Sequence, residues 1–212
     1  MPFLRLILLS AALAGLAAPA LRAGETAETR TVVFFGDSLT AGHGLDDPET
    51  QAFPALIGQK IAAAHLSWRV VNAGLSGETT AGGLRRAGWI LRRPADIFVL
   101  ELGGNDGLRG LSPAQTRDNL QAIIDRVRAR FPTVKIILAG MRVPPNLGPD
   151  YTRAFAEIFP ALAQKNHLPL IPFLLEGVGG RPGLNQADGI HPTAEGHALV
   201  ADNVWKILRP LL

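Results

Sequence analysis

The sequence predicts an α/β protein, a three-layer α/β/α sandwich around a central five-stranded parallel sheet. Two observations carry this. From residue 31 onward, short β-branched or aromatic runs alternate with segments of helical character. The composition, 47% hydrophobic and 18% charged, is that of a chain that buries a core, and no fixed-period repeat or low-complexity tract interrupts it.

Residues 31–35 (TVVFF) read as a buried strand that ends at Gly36. Residues 51–65 read as a helix, and 69–72 as a short strand closed by Ala73-Gly74. Residues 79–91 form a second helical segment, weakened by Gly82, Gly83 and Gly88. DIFVLEL at 96–102 is a strong strand that stops at Gly103-Gly104. Ser112-Pro113 opens the clearest helix, with Ser as N-cap and Pro at the first helical position. Leu120, Ile123, Ile124 and Val127 then fall on one helical face. A strand at 134–139 follows, then a helix at 151–166 that Pro160 is expected to bend or break. A last strand covers 168–171, and Pro192 opens a final helix. Strands alternating with helices give a parallel sheet covered on both faces, whose sites form in the loops beyond the strands' carboxyl ends.

Residues 1–23 differ from the rest. Arg5 precedes an apolar run at 6–16, and small residues follow at Ala18, Ala20 and Ala23. This is the three-part pattern of a secretory signal peptide, with an apolar core shorter than the roughly 20 residues that span a bilayer. The expected division is therefore an export signal at 1–23, cleaved near Ala20 or Ala23, and one domain at 24–212. Export makes the mature protein periplasmic or secreted, without stable membrane insertion.

The chain carries 21 Lys+Arg against 18 Asp+Glu; losing Arg5 and Arg22 leaves 19 against 18. The basic residues are scattered, so no stripe suited to nucleic acid is present. With no cysteine, thiol nucleophiles, Cys-ligated zinc and disulfides are all excluded. No cofactor and no metal is expected, and the protein is expected to act as a monomer.

Four loops carry chemistry. The first strand runs into Gly36-Asp37-Ser38-Leu39-Thr40, which would present Ser38 at the sheet edge. A serine hydroxyl needs a neighbouring base to become a nucleophile at neutral pH. Thr40 departs from the G-x-S-x-G elbow of the usual α/β hydrolases. Of five histidines, only His191 has a carboxylate three residues before it, in Asp188-Gly189-Ile190-His191-Pro192. That spacing lets Asp188 hold the imidazole's tautomer and stabilise the imidazolium. His197 lacks such a partner and reads as structural, while His43 lies near enough to Ser38 to line a site there. Gly74 follows the second strand, where a backbone N–H can face a ligand. Asn105, in Gly103-Gly104-Asn105-Asp106, offers a side-chain N–H. Acyl transfer needs such donors for its oxyanion.

Each loop alone is compatible with ordinary caps and turns. Together, the Gly36-Asp37-Ser38-Leu39 block, the Gly74 loop, the Gly103-Gly104-Asn105-Asp106 block and the Asp188-to-Pro192 block resemble the four blocks of the SGNH, or GDSL-type, hydrolases. The resemblance spans residues 31–212 and is closest to the exported bacterial arylesterase, thioesterase I and lysophospholipase L1 subgroup. It implies a flavodoxin-like sandwich and hydrolysis of a small-molecule ester (aryl, acyl, lysophospholipid or thioester). By the same resemblance, Ser38, Asp188 and His191 form the triad, the N–H groups of Ser38 and Gly74 with the Asn105 side chain form the oxyanion hole, and Asp37 is structural. Residues 141–149 should overhang Ser38, with Val143 and Leu147 covering the acyl chain and the loop at 103–110 lying opposite. Two other readings compete: a carbohydrate O-acetyl esterase of the same fold, and a non-catalytic flavodoxin-like binder. The second would usually show a Gly-rich phosphate cradle, which is absent from the sequence.

Overall fold

The computed structural model describes residues 29–212, so the proposed export signal lies outside the described residues. The elements run β1 (Arg30–Gly36), α1 (Ser38–Ala41), α2 (Pro48–Gln51), α3 (Phe53–Ala63), β2 (Trp68–Gly74), α4 (Thr80–Ile90), β3 (Ile97–Glu101), α5 (Gly104–Leu108), α6 (Pro113–Arg130), β4 (Lys135–Ala139), α7 (Pro149–Asn166), β5 (Leu170–Ile171) and α8 (Ala194–Leu208). The strands form one five-stranded sheet in the order β2-β1-β3-β4-β5, and every pairing is parallel. This is the flavodoxin-like order, whose direction reverses between β1 and β3.

That order also sorts the helices. Right-handed crossovers moving one way from β1 and the other way from β2 onward put their helices on opposite faces. Accordingly α3 packs with α8, whereas α4, α6 and α7 pack in a row. On the α3 side, Phe34 meets Phe53 edge to face at 5.5 Å; on the other, Phe35 meets Phe98 at 5.4 Å. Strands β1 and β3 are buried almost throughout, as their unbroken apolar runs require.

Several local expectations needed adjustment. The glycines that weakened α4 on propensity have a packing reason at Gly83, where a Cβ would collide with Leu102. Bare backbone there lets α4 lie close to the sheet. Pro160 does not break α7, which runs unbroken through Asn166. Pro160 is exposed, so the carbonyl it leaves without an N–H partner faces water. β5 has only two residues, flanked by Pro169 and Pro172, neither of which has an N–H for a ladder. Helix α8 starts at Ala194 rather than at Pro192, because Thr193 is the N-cap and its Oγ1 accepts from the Gly196 N–H. The segment 51–65 starts at the last residue of a single turn, α2, and its helix is α3, which runs from Phe53 to Ala63. Two short helices that the sequence pattern does not announce, α1 and α5, each begin where a site loop leaves a strand.

Candidate active site

Strands β1 and β3 end side by side at the reversal point of the sheet, with Gly36 in register with Glu101. Beyond them lie the Ser38 turn and the Asn105 turn. Asp37 caps α1, its Oδ1 accepting the Leu39 N–H at 3.0 Å, and Ser38 is the first helical residue. No hydrogen bond among the described residues uses the Ser38 N–H.

The loop before α8 brings in the other partners. Gly189, at φ +70°, allows the tight reversal after Asp188. Asp188 Oδ1 then accepts the N–H groups of Ile190 and His191, and Oδ2 lies 2.6 Å from His191 Nδ1. His191 Nε2 lies 2.9 Å from Ser38 Oγ, across 153 residues of chain. The imidazole beside Asp188, helped by those two backbone donors, holds its carboxyl down at about 2, so it stays ionised at neutral pH. This relay can take the Ser38 proton onto Nε2 while Asp188 steadies the positive ring.

Asn105 stands on α5, and its Nδ2 donates to Asp37 Oδ2 at 3.1 Å. Asp37 is buried, and burial raises its carboxyl to about 6. His43 packs its ring on that of His191, with centroids 4.7 Å apart. His197 is buried and structural; its Nδ1 accepts the Phe53 N–H at 3.2 Å, tying α8 to α3.

Gly74 does not take the place expected of it. Its N–H donates to Asn72 Oδ1 at 2.9 Å, and its missing Cβ makes room for the Thr40–Ala41 backbone. Gly74 is thus a packing glycine behind the Ser38 turn, and its donor is already used. Further along the loop, Gly77 (φ +78°) has an N–H that donates to no protein acceptor among the described residues.

Gln186 was missed altogether. Its Nε2 donates to His43 O at 2.7 Å and to Pro192 O at 3.0 Å, clipping the His191 loop to the Ser38 segment. No sequence signal marks it, because both partners are backbone carbonyls set by the fold.

A cavity of about 480 Å³ opens at Ser38 and His191, with Met141, Val143, Phe173, Leu175, Leu108 and Ile190 among its walls. Val143 is part of this wall. Leu147 is not; it is exposed and lies over Gly110. Nor is the 103–110 loop opposite the 141–149 segment. The two are adjacent, since a Cβ on Gly107 would collide with Val143.

A parallel sandwich with a Ser–His–Asp relay at its switch point defines a serine hydrolase. Residues 34–199 match the GDSL-like lipase/acylhydrolase family, and the chain belongs to that family, as a carboxylic ester hydrolase. It is 44% identical over 190 residues to the esterase TesA of Pseudomonas aeruginosa, covering 89% of this chain and 92% of that one. It is 39% identical over 189 residues to thioesterase 1/protease 1/lysophospholipase L1 of Escherichia coli K12, covering 89% and 88%. Among solved structures, the crystal structure of TesA superposes with a TM-score of 0.81 at 44% identity, covering 86% of this chain and all of that one.

Proposed function

We propose that the protein hydrolyses esters of apolar acyl groups through an acyl-enzyme on Ser38, outside the cytoplasm. The observation that carries this is the unbroken relay Asp188–His191–Ser38, at 2.6 and 2.9 Å, beside an apolar cavity. His191 Nε2 takes the hydroxyl proton as Ser38 Oγ attacks the carbonyl carbon, and the carbonyl oxygen becomes an oxyanion. Its donors are the Ser38 N–H, unused among the described residues, and the second N–H of the Asn105 amide. A third is assigned to Gly77 in place of Gly74, because the Gly74 N–H is bonded to Asn72. Collapse of the intermediate passes the proton from His191 to the departing alcohol, phenol or thiol. Water, deprotonated by the same imidazole, then releases the acid.

The wall of Met141, Val143, Phe173, Leu175, Leu108 and Ile190 favours an acyl chain over a sugar, and so favours aryl, acyl, lysophospholipid and thioester substrates over carbohydrate acetates. Among the described residues no helix is long and apolar enough to cross a membrane. The segment 1–23 supports export, with a mature N-terminus between Leu21 and Glu25, and the mature protein is assigned as a monomer.

A serine-directed phosphonate decides the chemistry. It should label the protein once, at Ser38, with parallel loss of turnover of chromogenic esters. A label at Ser76, or full turnover by Ser38→Ala, would overturn the assignment. Mass measurement of protein from the periplasm or medium tests export, and an intact Met1 would contradict it.

A further inference from the structure

The turn that carries Ser38 rests on a carboxyl group that the ester chemistry does not use. Glu101 ends β3 beside Gly36 and is completely buried. Its Oε2 accepts from Thr40 Oγ1 at 2.7 Å and from the Asp37 N–H at 3.2 Å. Among the described residues its Oε1 has no hydrogen-bond partner and Glu101 forms no ion pair. Burial, reinforced by the nearby Asp37 carboxylate, pushes this carboxyl well above the ordinary range. An unpaired charge there would be costly, and the neutral acid avoids that cost.

The two donors are the residue just before Ser38 and the residue two after it. A single oxygen therefore brackets the nucleophile's backbone from both sides. The arrangement also accounts for Gly36, where a Cβ would collide with both Thr40 Oγ1 and Glu101 Oε2. The turn gives up a side chain so that the carboxyl can reach over it.

We propose that Glu101 is a positioning residue for the nucleophile, holding Asp37 and Thr40 so that the Ser38 hydroxyl stays aimed at His191 Nε2. This rests on Ser38 being the nucleophile. Glu101 touches no reacting atom; it acts through the turn.

The test compares wild type with Glu101→Gln, Glu101→Leu, Thr40→Val and the Leu/Val double variant. Each is checked for folding by circular dichroism, then assayed for kcat, KM and the rate of phosphonate labelling. Gln keeps the shape and an oxygen acceptor, so Glu101→Gln should retain most of the wild-type kcat. Glu101→Leu and Thr40→Val should lower kcat and labelling rate about 10- to 100-fold at little-changed KM, as small misplacements of a reacting group do. The double variant should be no worse than the poorer single one, since both remove the same bracket. Folded Leu and Val variants that label at the wild-type rate, or that change only KM, overturn the proposal. If Glu101→Leu does not fold, Thr40→Val decides alone, because it exchanges only a hydroxyl for a methyl of similar size. The wild-type label is mapped first: its absence from Ser38 overturns both readings, whereas undiminished labelling of the variants overturns the positioning role alone.

Discussion

Asn105 donates from Nδ2 to Asp37 Oδ2 at 3.1 Å, joining the turn after β3 to the turn after β1. An ionised carboxylate only accepts, so the contact decides which end of the amide faces inward and leaves its second N–H for the oxyanion of the proposed mechanism. Asn105→Ala should lower kcat by about 10²–10³ with little change in KM, because that bond strengthens mainly in the transition state. Asp37→Asn, which lets the amide turn over, should give a smaller kcat loss of the same kind. Steady-state kinetics check both; a change confined to KM would make Asn105 a substrate-binding residue only.

Asp188 fixes the proton of His191 on Nδ1 through its 2.6 Å contact. Asp188→Asn should cut kcat by roughly 10⁴-fold at neutral pH, by favouring the wrong tautomer while keeping the shape. Circular dichroism and melting temperature should hardly change, since Asp188 is exposed. Wild-type kcat in this variant would remove Asp188 from the relay.

Val143 rests on bare Gly107 at the cavity wall. Each methylene buried there should contribute about 0.8 kcal/mol, so kcat/KM should climb with acyl length and then level or fall when the wall is filled. Enlarging Val143 should shorten the preferred chain, and Gly107→Ala should do the same by pushing Val143 inward, while acetyl esters still turn over. A flat profile across p-nitrophenyl esters, unmoved by either change, would remove this wall from the acyl site.

Burial lowers the His197 imidazole to about 4 from its usual 6.5, with a smaller contribution from His191. The folded state therefore resists a proton that the unfolded chain accepts. Its contribution is fully present above about 6.5 and is lost as pH falls toward 4, by up to roughly 3 kcal/mol. Buried Asp37, whose carboxyl is raised, works in the opposite sense over the same range, since its stabilising share is lost as pH rises to about 6. The comparison is thus with His197→Gln, which keeps an acceptor for the Phe53 N–H. Denaturant unfolding at pH 7 and pH 4 should show the variant losing less stability than wild type; equal losses would mean His197 is not kept neutral.

The sequence by itself determined the strands, most of the helices and which residues to look for as the proposed relay. Strand pattern and helix periodicity are local, and so are the Gly-Asp-Ser turn and the Asp188–His191 spacing, which closes in space as it does in sequence. It also determined that these loops share one sheet edge, because in a parallel sheet every strand ends on the same side. Only the tertiary structure decided what sits beneath and behind them. Gly74 had the marks of a free donor, yet Asn72 takes its N–H and the α1 backbone fills its empty side. Leu147 shared an apolar loop with Val143, but it lies over Gly110 while Val143 sits on Gly107 at the wall. Gln186 and Glu101 gave no signal, since Gln186 ties its own loop to His43, 143 residues away, Glu101 reaches partners 61 to 64 residues away, and most of these partners are backbone groups. A hydrogen bond to a main-chain atom leaves no trace in the identity of the residue that accepts or donates it, so such contacts become visible only when the chain has folded around them.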